Sequence, residues 1–126
     1  SVKLKDILTF IHTTSGQRMK QAAEDDKLWK EQPFVLGIPV RDIYPEMTEA
    51  DETMLVQGII DVCFEEDGEL VVLDYKTDKI WSEQKLLEKY QSQLEYYARA
   101  LEQITGKKVR EKIIYSFTMQ KELAWK

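Results

Sequence analysis

The most informative segment of the sequence runs from Met54 to Lys76 and reads MLVQGIIDVCFEEDGELVVLDYK. Two apolar runs rich in β-branched residues, 54–64 and 70–76, are typical of strands. An Asp-Gly pair at positions 67 and 68 lies between them, and such a pair favours a two-residue hairpin turn. The stretch therefore predicts an antiparallel β-hairpin.

The register of this hairpin brings two carboxylates together. With Asp-Gly at the centre of the turn, Glu66 faces Glu69, and counting outward places Asp61 directly opposite Asp74. Opposed like charges destabilise a strand pair, and burying them among apolar neighbours costs several kcal/mol. The pair therefore needs a shared proton or a cation, and a hard divalent ion such as Mg²⁺ suits carboxylate oxygens. A longer loop would shift the register by one residue and turn one acid to the other face.

Lys76 joins this group, because residues two apart on a strand share a face and its ammonium therefore points the same way as Asp74. A positive group there can hold the nucleophile or stabilise charge on a scissile phosphate. Glu31, at the start of the preceding strand, is a further candidate ligand or orienting group. The simpler alternative is a surface ion pair between Asp74 and Lys76, worth about 0–1 kcal/mol.

Patterns outside the hairpin predict further helices and strands. In chain order they are a helix within 1–12, a helix from 17 to about 30 with Ser15 as its cap, a strand at 34–40 that Pro39 ends, a solvated loop at 42–53, a helix at 82–105 with Gly106 as its C-terminal cap, and a strand at 109–118. This order predicts an α/β fold in which helices flank a mixed sheet. We expect one domain over 1–126, with a helical lead-in at 1–30 and a core at 31–118.

Tyr90, Gln93 and Tyr97 lie on one face of the long predicted helix. An amphipathic helix that covers a sheet explains the two tyrosines. Gln93 needs hydrogen-bond partners within an otherwise apolar stripe, so it can orient a catalytic carboxylate or contact a phosphate.

Other distinctive residues have ordinary interpretations. His12, the single histidine, is expected to be structural or exposed rather than a ligand. Trp29 and Trp81 are expected to be core or interface anchors rather than stacking platforms. Three lysines near the predicted site can line a path for DNA, although ordinary helix-surface charge is the simpler interpretation: Lys79, Lys85 and Lys89.

Composition narrows the function classes. The formal net charge of −5 and the pI near 5.0 argue against an isolated nucleic-acid binder, unless the acids cluster at a metal site or neighbouring domains carry the DNA. We expect neither a membrane span nor a signal peptide. The single Cys63 excludes an internal disulfide and fits a reducing, cytoplasmic setting.

Four motifs, in this order, resemble the RecB branch of the PD-(D/E)XK nuclease superfamily. They are Glu-x-Pro-Phe at 31–34, Gly-x-x-Asp at 58–61, Asp-Tyr-Lys-Thr at 74–77 and Gln-x-x-x-Tyr at 93–97. The resemblance covers about two-thirds of the chain. It implies a restriction-endonuclease-like fold and an exonuclease that hydrolyses DNA ends with Mg²⁺, or with Mn²⁺ as a substitute. It also implies that Asp61 and Asp74 are metal ligands and that Lys76 is catalytic.

The likeness extends to nuclease domains of AddAB-type helicase–nucleases. This implies ATP-dependent helicase domains in the same polypeptide, a partner like AddB, and a role in double-strand-break repair and recombination. The chain has no phosphate-binding Gly-x-x-x-x-Gly-Lys loop, so we expect it to be a piece of a longer protein. The family's upstream histidine ligand would then precede residue 1, and the isolated piece would be inactive.

One cysteine cannot hold the iron–sulfur cluster that some relatives carry, so we expect no such cluster from this chain. Two other functions compete with the nuclease. The first is a non-catalytic DNA-binding or docking domain that keeps the fold, and the second is a general interaction module.

Overall fold

The computed structural model of the chain describes residues 2–47 and 51–126. Its elements, in chain order, are α1 (Leu4–Ile11), α2 (Thr14–Glu24), β1 (Leu28–Pro39), α3 (Val40–Ile43), β2 (Thr53–Glu66), β3 (Glu69–Lys76), α4 (Glu83–Thr105), β4 (Val109–Ser116) and β5 (Lys121–Trp125). The predicted α/β fold, a mixed sheet flanked by helices, is confirmed. Within the described residues, no helix is both long and apolar enough to cross a membrane.

The strands form one five-stranded sheet in the order β1-β2-β3-β4-β5. Neighbouring strands are antiparallel except β3 and β4, which are parallel. A parallel pair needs a long crossover, and α4 provides it by passing over one face of the sheet. Ser82 caps the start of α4 by accepting a hydrogen bond from the backbone of Lys85, and Gly106 ends the helix with a left-handed φ of 72°.

The turn between β2 and β3 sets the register that the sequence predicts. Asp67 and Gly68 have φ angles of 53° and 81°, as a type I′ turn requires. The strands pair from Glu66 opposite Glu69 onward, and the last pair of this ladder is Val62 opposite Leu73. The next position along each strand belongs to an aspartate, and together these two positions begin the candidate site.

Each face of the sheet covers its own hydrophobic core. On one face α4 packs over Ile60, Cys63 and Val72. On the other face, Phe10 of α1 and Ala22 of α2 lie within a second core. Buried residues of β2, β3 and β4 complete that second core, namely Val62, Phe64, Val71, Leu73, Ile113 and Tyr115. Alternate residues of β3 thus serve opposite cores, which explains its nearly continuous apolar sequence.

The alternation of side chains between the two faces of the sheet is interrupted in β2 at Asp61. Ile60 belongs to the core beneath α4, whereas Val62 belongs to the core beneath α1 and α2. Residues two apart would share a face in a regular strand, so the alternation is reversed between them. Glu31 stands at the corresponding position of β1, because its neighbours pair with Val62 and Ile60, and it has a left-handed φ of 50°. The irregularity on both strands lies beside the candidate site.

The second helix is shorter than predicted and starts earlier. It spans Thr14–Glu24, and the side chain of Thr13, not Ser15, accepts the capping hydrogen bond from Gly16. The predicted helical stretch to residue 30 is wrong at its end, since β1 already begins at Leu28. Pairing of this segment with β2 prevails over its local helix preference.

Two further boundaries differ from the prediction. The loop expected at 42–53 includes the last residues of the short helix α3 and the first residue of β2, and its part at 48–50 lies outside the described residues. The last predicted strand ends at Ser116, and a fifth strand, Lys121–Trp125, follows after a turn in which Gln120 has a φ of 53°. The sequence pattern does not predict this edge strand.

Candidate nuclease site

Asp61 and Asp74 lie beside each other at the open end of the β2–β3 hairpin. Asp61 is half-buried and its Oδ2 accepts a hydrogen bond of 3.0 Å from the backbone N–H of Tyr75. Asp74 is only 3% exposed. The hydrogen bond fixes the Asp61 carboxylate against the end of β3, next to the Asp74 side chain.

The surroundings of Asp74 disfavour a second negative charge. Burial and the adjacent Asp61 carboxyl raise the pKa of Asp74 to about 6, and the Lys76 ammonium opposes part of that rise. Among the described residues, Oδ2 of Asp74 has no hydrogen bond of good geometry. Lys76 Nζ lies 2.7 Å from this atom, so Lys76 is an ionic neighbour rather than a well-directed donor.

Lys76 shares the face of Asp74, as the strand alternation predicts. Its side chain is 15% exposed, and its Nζ donates a hydrogen bond of 3.0 Å to Oε1 of Gln93. Gln93 thereby satisfies the hydrogen-bonding need that its place in an apolar stripe creates. The Gln93 amide is therefore connected to the site by its contact with the Lys76 ammonium, and helical spacing alone does not predict this contact.

Tyr97 packs one helical turn beyond Gln93. Its ring contacts Phe34 edge to face, with 5.2 Å between the ring centroids. Burial, and to a lesser extent the charges of Asp74 and Asp61, raise the pKa of Tyr97 to about 12. The phenol is therefore a neutral group within electrostatic reach of both carboxylates.

Gly58 is required by close packing. A Cβ at this position would lie 3.1 Å from Cε1 of Phe34 and 3.6 Å from Cε1 of Tyr97. The absent side chain lets β2 approach the Phe34–Tyr97 pair. This contact joins the Gly-x-x-Asp, Glu-x-Pro-Phe and Gln-x-x-x-Tyr motifs in one place.

Glu31 and His12 are less closely connected to the site. Glu31 is exposed, and the strand pairing places it across from Asp61, but no hydrogen bond of the described residues joins its side chain to the carboxylates. His12 is exposed at the end of α1, as expected.

The two tryptophans and three lysines that the sequence analysis considered are all exposed. Trp29 and Trp81 are 42% and 74% exposed, so neither is a core anchor. Trp29 lines an apolar cavity of about 270 Å³ beside the C-terminal part of α4. Lys79, Lys85 and Lys89 are exposed, and Lys89 pairs with Asp78 at 2.7 Å.

Tyr90, which the sequence pattern presents as a packing residue, also contacts the site. The Nζ of Lys76 lies 3.8 Å from the centroid of the Tyr90 ring. Tyr90 is one helical turn before Gln93, and this spacing indicates that the two side chains lie on the same face of α4, where both contact Lys76. Because Tyr90 also fits the apolar periodicity of α4, the sequence does not distinguish this contact from ordinary packing.

The oxygen atoms of the site suit a hard divalent cation. Asp61 and Asp74 offer adjacent carboxylates, and Oδ2 of Asp74 is buried without a well-directed donor among the described residues. Mg²⁺ retains several water molecules and is commonly held by one or two carboxylates. Within 2–47 and 51–126, no cluster of three or more His, Cys, Asp or Glu residues suits a metal.

Comparison with known proteins identifies the family to which the chain belongs. The profile of the PD-(D/E)XK nuclease superfamily matches residues 8–124, nearly the whole chain. The chain belongs to the PD-(D/E)XK nuclease superfamily. The resemblance that the four ordered motifs carry is thereby confirmed, and the five-stranded mixed sheet is consistent with the fold of this superfamily.

Similar proteins include three bacterial relatives, each named as the A subunit of an ATP-dependent helicase/nuclease. The chain is 40% identical over 121 residues to the protein of Clostridium kluyveri and 45% identical over 114 residues to that of Carboxydothermus hydrogenoformans. These matches cover 94% and 88% of the chain but only 10% and 9% of the relatives. The protein of Lachnoclostridium phytofermentans is 37% identical over 157 aligned residues, which cover 98% of the chain and 11% of that relative. The chain thus spans about a tenth of the length of these relatives.

Proposed function

We propose that this chain is the Mg²⁺-dependent deoxyribonuclease domain of an ATP-dependent helicase/nuclease. The observation that carries the proposal is the pairing of Asp61 with the buried Asp74 beside the Lys76 ammonium. An uncompensated carboxylate pair is costly to fold, whereas a cation-binding phosphodiesterase needs such a pair. Membership of a nuclease superfamily supports the same conclusion.

Asp61 and Asp74 would hold the divalent cation, Mg²⁺ or its substitute Mn²⁺. Such an ion polarises a phosphodiester and lowers the pKa of a bound water molecule. The hydrogen bond from the Tyr75 backbone orients one oxygen of Asp61 and leaves the other available. Burial of Asp74 keeps bulk water away from its carboxylate and strengthens its electrostatic interactions.

Lys76 would act on the phosphate or on the attacking water. Its ammonium contacts both Gln93 and Asp74, so it lies where it can stabilise negative charge that develops on phosphorus or hold the nucleophile in place. Tyr97 would supply a neutral wall beside the carboxylates. Glu31, across from Asp61, would orient groups at the rim of the site.

The rest of the proposed enzyme extends beyond this chain. We propose that 1–126 forms one domain, with a lead-in at 1–30 and a nuclease core at 31–118, in a polypeptide that also has helicase domains and acts with an AddB-like partner in the cytoplasm. The net charge of −5 disfavours strong binding of DNA by this domain alone. The helicase domains and the partner would therefore deliver DNA ends during double-strand-break repair and recombination.

The deciding experiment measures hydrolysis of linear DNA by the full-length polypeptide with its AddB-like partner. Asp74→Ala and Lys76→Ala should each lower the rate about 100-fold or more with Mg²⁺ or Mn²⁺. The matched control is Lys108→Ala, because Lys108 is exposed next to β4 and has no ion pair among the described residues. Degradation at the unaltered rate by both site variants would rule out the proposed mechanism.

A non-catalytic DNA-docking domain is the second candidate. The observation that favours it is that, within the described residues, no third His, Cys, Asp or Glu side chain joins the two carboxylates in a metal-binding cluster. It predicts that the full-length polypeptide binds DNA without metal-dependent cleavage. Intact binding with no cleavage in any divalent cation would therefore select this candidate over the nuclease.

A further inference from the structure

The Lys76 ammonium lies against the face of an aromatic ring. Its Nζ is 3.8 Å from the centroid of Tyr90, well within the range at which a cation is attracted to the ring quadrupole. The same nitrogen donates to Gln93 at 3.0 Å and lies 2.7 Å from Asp74. The ring, the amide and the carboxylate thus surround one ammonium.

Tyr90 is itself held in place by a separate set of contacts. Its hydroxyl donates a hydrogen bond of 2.7 Å to Oδ2 of Asp78, which also pairs with Lys89 at 2.7 Å. The hydroxyl of Thr118 donates to the backbone carbonyl of Asp78 at 2.7 Å. The connection between β3 and α4 is therefore tied both to α4 and to the turn that follows β4, and the ring cannot easily turn away.

We propose that Tyr90 is a positioning residue that holds Lys76 for phosphodiester hydrolysis, and this inference rests on the proposed function. A lysine side chain has four rotatable bonds and three donors, so one hydrogen bond does not fix it. The Tyr90 ring and the Gln93 amide are neutral. They hold the ammonium without competing for the cation that Asp74 would bind.

The Tyr90 ring and the Gln93 amide also keep Lys76 in place when the Asp74 carboxylate binds a cation. If the ion pair with Asp74 were the main constraint, a divalent cation at that carboxylate would weaken it and release the lysine. The ring contact does not depend on that charge. Its removal should therefore lower the rate of the chemical step more than the binding of DNA.

The first test reads the position of the ammonium without any activity. Protons that lie over an aromatic face resonate upfield, so the ε-methylene protons of Lys76 should be shifted upfield in the ¹H–¹³C spectrum of the ¹³C-lysine-labelled chain. Lys76→Arg assigns the signal. Tyr90→Phe keeps the ring but loses its hydrogen bond to Asp78, so it should keep most of the shift, whereas Tyr90→Leu should abolish it. The matched control is Tyr96→Leu, which removes another partly buried tyrosine of α4 and should leave the signal in place.

The second test measures DNA hydrolysis by the full-length polypeptide carrying the same substitutions. Tyr90→Leu should lower kcat about 2- to 30-fold with little change in KM, as expected from the strength of a cation–π contact. Tyr90→Phe should restore the rate. A merely structural role would instead lower the activity of Tyr90→Leu and Tyr96→Leu alike.

The outcomes separate this inference from the proposed function. A Lys76 signal without an upfield shift, or one that Tyr90→Leu leaves unchanged, overturns the positioning role whether or not the protein cleaves DNA. Normal kcat in Tyr90→Leu together with an inactive Lys76→Ala also overturns it. Full activity of Lys76→Ala would instead overturn the proposed function, and the spectrum would still decide whether Tyr90 holds the ammonium.

Discussion

The two ends of the β2–β3 hairpin place carboxylates in opposite surroundings. At the turn end, Glu65 and Glu66 each contact two basic side chains. At the open end, Asp61 and Asp74 lie side by side, and within the described residues their one ion pair is that of Asp74 with Lys76. The same strands therefore carry one balanced group of charges and one unbalanced group.

The pKa values of these acids show the same contrast. Hydrogen bonds from Lys107 and Arg18 lower the pKa of Glu65 and Glu66, respectively, in spite of partial desolvation. Burial and a neighbouring acid raise the pKa of Asp74 to about 6. Paired charges of the first kind stabilise a fold, whereas a perturbed acid in a cluster marks a functional site. The turn end therefore supports the structure, and the open end carries the proposed chemistry.

The largest expected effect separates the two ends by activity. Asp61→Asn should lower DNA hydrolysis by the full-length polypeptide about 100-fold or more, because it removes a proposed ligand with little change of shape. Glu66→Gln makes the equivalent change at the other end of β2 and should leave the rate unaltered. A steady-state nuclease assay with Mg²⁺ measures both variants. Equal rates for the two would remove the functional distinction between the ends.

Removal of the Arg18 side chain should have the next largest effect, and it should change stability but not activity. This side chain on α2 donates to Glu66 and Glu111, each at 2.7 Å, and is 23% exposed. Arg18→Ala should lower the free energy of unfolding by about 1–3 kcal/mol in urea, since partly buried carboxylates lose a charged partner. Lys20→Ala, at an exposed position of the same helix, is the control. Nuclease activity below the unfolding transition should not change, and a loss of activity at full stability would contradict this division.

A smaller effect of opposite sign is expected at Asp74. In buffer with a metal chelator, Asp74→Asn should raise the free energy of unfolding by about 1–2 kcal/mol, because the raised pKa of Asp74 means that folding disfavours its charge in spite of the Lys76 ammonium, and the amide removes that charge. Thermal unfolding at neutral pH measures the change. Added Mg²⁺ should stabilise the unaltered chain but not the variant. If Asp74→Asn destabilises the metal-free chain, the unbalanced-charge account fails.

The smallest expected effect is the loss of the stability contributed by Glu66 at acidic pH. The pKa of Glu66 is lowered from its usual 4.5 in the folded chain, so its ion pairs contribute stability that is fully present above pH 4.5 and is lost as the pH falls through the lower, folded value. Urea unfolding at a series of pH values should show the unaltered chain more stable than Glu66→Gln near neutrality. The difference should shrink below about pH 4.5. A difference that stays constant across this range would mean that the charge of Glu66 is not the cause.

Much of the open end could be predicted because its determinants are local. Asp67 and Gly68 set the hairpin register, and the alternation of β3 puts Lys76 on the face of Asp74. The C-terminal end of the long helix could likewise be predicted from its cap, Gly106. Each of these features depends on residues close together in the sequence.

Features that depend on contacts between distant segments could not be predicted in the same way. The start of β1 at Leu28 depends on its pairing with Phe64, against a local composition that favours helix. The contact of Tyr90 with Lys76 is hidden in the sequence because a tyrosine in an apolar stripe packs equally well as a plain core residue. Both features require the sheet to be assembled before they can be recognised.

Metal binding at the open end can be tested with a crystal of this chain soaked in Mn²⁺ and measured at a wavelength where manganese scatters anomalously. An anomalous peak should appear between the carboxylates of Asp61 and Asp74, and none beside Glu65 and Glu66 at the turn end. The same crystals of Asp74→Asn should lose the peak. No peak at the open end, or a peak at the turn end instead, would contradict the claim that the unbalanced acids of this hairpin form a metal site.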